Sequence, residues 1–428
     1  MSSPSDRAPD PSTRPFPDIR MRGFQERAEV AAVVQLLTRR LRPLAPEAVD
    51  LHAAWGRVLA VDVTADRPVP SFDRAAMDGY ALRSAETLGA DPVHPVELEV
   101  VGEALPGWPC PRPVQPGQAV RIMTGAPVPE GADAVIQAEA AAETAGRVRI
   151  MTSATPGRHI GRRGEDLEAG SVVLRAGRVL RPQDVGALAS LGVSPVPVIR
   201  RPTVSILVTG DELLPCGSRP EGFRIVDSNS VMLEALVRRD GGLPDIAPLV
   251  PDRAEAVRSA LLQAPGDVVL VSGGSSVGQE DHAPRVLAEV GELSIHGMAL
   301  RPAGPAGIGF LGERPVFLLP GNPVACLCAY DLFAGRALRR LGGRSMELPY
   351  ATCVLPLARD IPSVPGRVDY VRVRISNGQV EPLATRGASN LSSVTRADGF
   401  VLVDADADRY AAGALVTVYL YDPPGNTP

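Results

Sequence analysis

Long apolar runs are missing from this 428-residue sequence. Nothing approaches the ~18 consecutive apolar residues of a membrane-spanning helix. The start, MSSPSDRAPDPSTRPFPD, is polar and proline-rich and has no secretory h-region, so a cytoplasmic location is expected. Cysteine is scarce. Cys110, Cys216, Cys326, Cys328 and Cys353 are odd in number and scattered, which argues against a disulfide framework and against a zinc site. His282 and His296 likewise lack a partner at metal-ligand spacing. Positive charge is not in excess: the formal net charge of −5 gives no support for nucleic acid as a partner, so a polyanionic ligand has to be met by local clusters. What the chain does have is 45% apolar residues with both charge signs interspersed; at this length that makes about two to four domains with ample cores.

Residues 267–281, DVVLVSGGSSVGQED, organise the chain. The run Val268 to Val271 has the length and β-branched content of a fully buried strand and stops at Ser272-Gly273-Gly274. Gly273, Gly274 and Gly278 let main-chain N–H groups approach an anion, and Ser275 and Ser276 add hydroxyl donors. Glu280 and Asp281 close the loop with carboxylates that can hold a cation over that anion.

Around this stretch the texture changes several times. Residues 1–22 read as a disordered leader. Helical spacing follows from Glu26 to Leu41, with basic residues late. From about 65 to 166, short apolar runs broken by Pro and Gly predict an inserted β-rich domain, with 23–64 and 167–200 forming the linker domain around it. From 201 to 343, strand and helix alternate, which predicts a three-layer αβα domain with a mainly parallel sheet. A strand is expected near Ile246 to Val250, followed by a helix with Asp252 as its N-cap. Residues 347–421 return to β-structure, with an Asn377-Gly378 hairpin signal and a strand on which Arg372 and Arg374 share one face. That face is either solvated or an oxyanion clamp. The expected fold is therefore multidomain α/β, ending in a β-barrel-like domain.

In such sheets ligands bind beyond the carboxyl ends of the strands. Three loops fall there: Thr209 to Glu212, Ser272 to Asp281, and Leu319 to Pro323, where Asn322 can start a helix at Pro323. Glycines, a helix N-terminus and the carboxylates of Asp211, Glu212 and Asp281 together point to a phosphate-bearing ligand with Mg²⁺. In the β-rich region Asp78, Thr124 and the GRRGED stretch (Arg162, Arg163, Glu165, Asp166) stand out, although each alone is explained by turn chemistry.

PSFDRAAMDGYALR, RIMTGAPVPEGADAV, GRRGED, VTGDEL, SGGSSVGQED and LPGNPVACL, in this order, resemble the molybdopterin molybdenumtransferase family, the MoeA type that includes the gephyrin E domain. The likeness runs from about residue 27 to 421. It implies a cytosolic homodimer that takes adenylylated molybdopterin and molybdate, releases AMP with Mg²⁺, and works beside the preceding adenylyltransferase and the maturation partners of molybdoenzymes. Carried over by position, it implies catalytic roles for Asp78, Thr124, Asp166, Glu212, Asp252 and Asp281, with Asp281 and Glu212 toward the metal. It implies cofactor-binding roles for Gly273, Gly274, Ser275, Gly278, Arg301, Pro320, Gly321, Asn322 and Pro323, and puts Arg372 and Ser389 at molybdate. One segment departs from the family pattern: where a lysine-rich stretch is usual, this chain reads Gly297-Met-Ala-Leu-Arg301-Pro-Ala-Gly304-Pro305. Either Arg162, Arg163 and Arg301 compensate, or the oxyanion differs, tungstate being one option. The module alone also admits an adenylyltransferase, a pyrophosphate hydrolase or a non-catalytic scaffold.

Overall fold

The computed structural model describes residues 27–274, 281–384 and 387–422. It is a multidomain α/β structure whose chain divides into two compact units, Ala48–Val198, and Ile199 onward together with the residues up to Glu47. The leader expected at 1–22 lies outside the described residues.

In the Ala48–Val198 unit, six strands form one sheet in the order Ala134–Gln137, Gly79–Leu82, Gln118–Ile122, Val96–Ala104, Arg147–Ile150, Ala141–Thr144. Side chains alternate across it. Ala81, Val120, Ile122 and Val135 pack on one face, and Leu82, Ala119, Ile136 and Val148 on the other. A separate core joins Ala54, Leu59 and Val63 to Leu174, Leu188, Val196 and Val198, so the segments before and after the sheet pack on each other. There the helix Pro182–Ser190 begins with Pro at its first turn. Asp184 accepts the Arg181 N–H at 2.9 Å and takes the Arg178 guanidinium bidentately at 2.9 and 3.0 Å.

The other unit is built on a six-stranded sheet ordered Leu243–Ile246, Thr203–Val208, Val268–Ser272, Arg314–Leu319, Gly307–Leu311, Glu292–His296. The first four strands are parallel and the last two antiparallel. Alternation again assigns the faces. Val204, Ile206, Val268 and Leu270 face the helix Asn229–Arg239 and the helical stretch from Pro323 to Leu341, whereas Leu207, Val269 and Val271 face helices Ala254–Gln263 and Ala283–Val290. Both faces are covered, which is why Val268 to Val271 reads as unbroken apolar sequence.

Three local expectations need correction. The strand placed near Ile246 to Val250 spans Leu243–Ile246 instead, and the chain rejoins the sheet at Val250, whose N–H donates to the Val208 carbonyl at 2.8 Å and which bridges Thr209. The helix after it starts at Ala254 with Arg253 as its N-cap, so Asp252 is not the cap. In the C-terminal sheet, Arg372 is fully buried while Arg374 is exposed. A register shift between Arg372 and Val373, opposite strand Gln379–Ala384, breaks the alternation that would put both on one face. The hairpin at Asn377 (φ 51°) and Gly378 (φ 72°) joins Val368–Ser376 to Gln379–Ala384 with the two positive φ values of a type I′ turn.

The Arg178 pair is the main reason Asp184 titrates below the usual carboxylate range. A lowered folded pKa contributes stability above the unfolded value of about 3.9 and loses it as pH falls. Asp184→Asn is expected to lower stability at pH 7 by about 1–3 kcal/mol, with the gap to wild type closing toward pH 2. Urea unfolding at both pH values checks this; an equal gap at the two would contradict it.

Candidate active site

Four parallel strands end on one edge, and two of their turns approach each other there. After Val268–Ser272 the chain turns through Gly273 (φ 97°) and Gly274 (φ 56°). A Cβ at Gly273 would stand 2.2 Å from the Thr209 carbonyl oxygen, and one at Gly321 only 3.5 Å from the Gly273 Cα. No side chain fits at Gly273, so both its φ and its surroundings require glycine. Hydrogen bonds close the edge: Thr209 N–H to Ser272 O at 2.9 Å and Gly273 N–H to Leu319 O at 3.2 Å.

Asn229 ties these turns together. Its Nδ2 donates to Ser272 Oγ at 2.9 Å and to the Gly321 carbonyl at 2.8 Å. Its own position is set by Asp227, whose Oδ1 accepts the Asn229 and Ser230 N–H groups at 2.9 and 3.1 Å and so caps helix Asn229–Arg239. Both Asp227 and Asn229 are 6% exposed. Sequence reasoning passed over them. The signal was a VDSNS stretch that reads as ordinary helix-start chemistry.

These turns enclose a cleft of about 500 Å³. Of the residues expected in a site, Glu212, Asp252, Asp281, Gly273, Gly274, Pro320, Gly321, Asn322, Pro323 and Ser389 all line it, with Asp227 and Asn229 beside them. The Asp252 carboxylate accepts the Thr209 hydroxyl and, at 3.3 Å, the Asp211 N–H. That is why it is drawn into the cleft instead of capping the helix. Ser389 arrives because the neighbouring Ala388 carbonyl accepts the Val324 and Ala325 N–H groups at 2.9 and 3.3 Å. The helix start after Asn322 therefore already has a partner for two of its N–H groups, and is less free to bind phosphate than its sequence implies. Ser275 and Gly278 lie outside the described residues.

Arg301 and Arg372 are not among the lining residues. Arg301 pairs with the buried Asp369, which also takes Arg367 Nε at 3.2 Å and Ser363 Oγ at 2.8 Å. The strand register sets this pairing, since Arg301 lies opposite Asp369. Arg372 donates to Ser393 Oγ at 3.2 Å and to the Tyr370 carbonyl at 3.3 Å. Burial pulls its pKa below the ordinary arginine value, and the Arg301 charge adds to that.

In the Ala48–Val198 unit, Asp78 Oδ1 accepts both the N–H and the hydroxyl of Thr124 at 2.7 Å. Those bonds, the backbone one first, hold Asp78 below the usual carboxylate range. Thr124 borders a second cavity of about 460 Å³ with Arg74, His159 and Glu165; Asp78 and Asp166 do not. Glu165 is fixed by Arg74 at 3.1 Å and by the Arg162 N–H at 3.0 Å. Arg162 itself pairs with Asp73 at 2.7 Å, and Arg163 gives Asp73 its N–H at 2.8 Å. Of the three arginines expected to compensate for absent lysines, the guanidiniums of Arg162 and Arg301 are thus already engaged.

A glycine-turned cleft lined with carboxylates, beyond the carboxyl ends of parallel strands, places this chain among α/β proteins of the kind whose sheets take ligands at that edge. The chain matches the models of the MoeA N-terminal region (domain I and II) over residues 27–192, of the "Probable molybdopterin binding domain" over 205–340, and of the MoeA C-terminal region (domain IV) over 354–421. It is 34% identical to molybdopterin molybdenumtransferase 2 of Mycobacterium tuberculosis over 411 residues, covering 93% of this chain and 99% of that one. It is 32% identical to the molybdopterin molybdenumtransferase of Bacillus subtilis, covering 87% and 89%. The solved MoeA protein of Pyrococcus horikoshii superposes with a TM-score of 0.76 at 33% identity, covering 92% of this chain and all of that one. The chain belongs to the MoeA family.

Asn229→Ala removes both donors and leaves the Gly321 carbonyl unpaired. It is expected to lower stability by about 1–3 kcal/mol. Urea denaturation is the check, and an unchanged midpoint would show that the two turns are held without Asn229.

Proposed function

We propose that this chain is a molybdopterin molybdenumtransferase, acting in molybdenum cofactor biosynthesis by placing molybdate on adenylylated molybdopterin with release of AMP. The observation that carries the reading is the cleft itself. It gathers Glu212, Asp252, Asp281, the Pro320–Pro323 turn and Ser389, in a chain that aligns over nearly its whole length with proteins bearing that name.

The residues present suit a hard divalent cation in part. Oxygen donors Glu212 and Asp281 face one cleft, while no cluster of three or more metal-ligating side chains occurs among the described residues. Mg²⁺ takes one or two carboxylates and completes its shell with water and substrate phosphates, so these two carboxylates would be the ones to hold it. Bound there, it would neutralise phosphate charge. The chain's own groups do the rest. Glycines at 273, 274 and 321 let the turns close on one another, so that their backbone lines the space where the pyrophosphate would lie. Asn229 holds the two turns at fixed separation, so bound ligand is oriented rather than merely captured. Asp252, locked by Thr209, keeps a negative wall that only a cation-loaded ligand can face. Ser389, placed by the Ala388 carbonyl, offers a hydroxyl to the oxyanion. Arg372 is fully buried and does not line the cleft; on this reading its guanidinium would suit a tetrahedral oxyanion that must bind and then leave. No nucleophilic side chain is needed. Cytoplasmic location, a homodimer and hand-over from an adenylyltransferase to molybdoenzyme maturation partners belong to the same proposal.

The test is AMP release from adenylylated molybdopterin by purified protein, anaerobically with Mg²⁺, with and without molybdate. Molybdate-stimulated release with metal retained on the pterin is expected; tight binding without release would contradict the reading. Asp281→Asn is expected to lower AMP release by at least a hundredfold, about 2.7 kcal/mol in the barrier, with an unchanged unfolding midpoint. Turnover equal to wild type would remove Asp281 from the metal site.

A further inference from the structure

The cleft has a charge problem. Among its described lining residues, Glu212, Asp227, Asp252 and Asp281 are carboxylates and none is arginine, lysine or histidine. The whole sequence contains no lysine, so all 44 basic side chains other than histidine are arginines. A polyphosphate ligand can therefore meet side-chain cations only as guanidiniums reaching in from the rim. Arg301, next to the rim in sequence, is held by Asp369.

Arg27 is placed to do this. Ala28 lies alongside residues 297–299, with its N–H on the Gly297 carbonyl at 3.0 Å and its own carbonyl taking the Ala299 N–H at 2.8 Å. On the other side of the same segment runs 304–306, through Met298 N–H to Gly304 O at 2.8 Å and Gly297 N–H to Ala306 O at 3.0 Å. Arg27 reaches across this layer. A Cβ built at Gly304 would stand 3.9 Å from Arg27 Nη1. The next residue, Pro305, lines the cleft. Arg27 is exposed and shows no ion pair with a described residue.

We propose that Arg27 supplies a guanidinium to the phosphate end of the cleft, over the bare Cα of Gly304, as a binding residue for the polyanionic ligand. The proposal rests on the cleft being the phosphate site. Gly304 also provides the test. Its Cβ would meet nothing closer than the Leu300 carbonyl at 3.5 Å, so a lysine fits there without strain and carries a charge to the same rim. Gly297 does not offer this, because its φ of 95° disfavours any side chain.

The experiment is calorimetric binding of ADP, a soluble pyrophosphate-bearing probe, to the full chain in MgCl₂ at low and high salt. Arg27→Gln is expected to weaken binding roughly tenfold at low salt and less at high salt, where exposed charges are screened. Adding Gly304→Lys to that variant, or using Arg27→Lys alone, is expected to recover most of the loss. Wild-type affinity in Arg27→Gln, or a loss that neither lysine recovers, overturns the proposal. If the wild-type chain itself fails to bind ADP, the cleft reading falls, and this inference with it.

Discussion

The site depends on one close approach. The Gly273 backbone passes so near the Thr209 carbonyl that a single methyl group there would stand 2.2 Å from it. That contact lets strands Thr203–Val208 and Val268–Ser272 end level, with the Thr209 N–H on the Ser272 carbonyl, and lets the Gly321 turn settle against Gly273. Asn229 then links Ser272 to Gly321. Without the bare Cα at 273 the turns would separate. The carboxylates of Glu212, Asp252 and Asp281, each set by a different loop, would no longer face one space.

Charge is the second constraint, and it acts against the first. A cleft walled by carboxylates repels a phosphate ligand unless a cation intervenes, and burial strengthens that repulsion by lowering the effective dielectric. Three arginines are committed elsewhere: Arg301 and Arg367 to Asp369, Arg162 to Asp73. On the proposed reading the burden falls on a divalent metal and on whatever guanidinium can reach the rim. An acidic wall of this kind would then favour a metal-bridged pyrophosphate over an uncomplexed one.

Much of this could be read from residues alone, for identifiable reasons. Val268 to Val271 was recognisable because a strand buried on both faces must be apolar throughout. Asn377-Gly378 was recognisable because few residue pairs accept two positive φ values. The cleft's loops followed from strand–helix alternation, and Glu212, Asp281 and the Pro320–Pro323 turn do share one cavity. What stayed hidden were choices between local and distant partners. Asp252 and Glu255 have the spacing of a helix cap, but the Thr209 hydroxyl, far away in sequence, takes Asp252. Arg372 looked like one of two arginines on a single face until a register shift buried it alone. Nothing in the order of residues announces that Ala388 will occupy the N–H groups after Asn322, or that Arg301 lies opposite Asp369. Those pairings are set by tertiary register.

The central claim is that this acidic cleft accepts phosphate only with a divalent cation. The most direct measurement is the affinity of the wild-type chain for ADP titrated against free Mg²⁺ at constant ionic strength. The account predicts that affinity rises at least tenfold, about 1.4 kcal/mol, as Mg²⁺ goes from chelated to millimolar. Affinity that is unchanged or weakened by Mg²⁺ would contradict it.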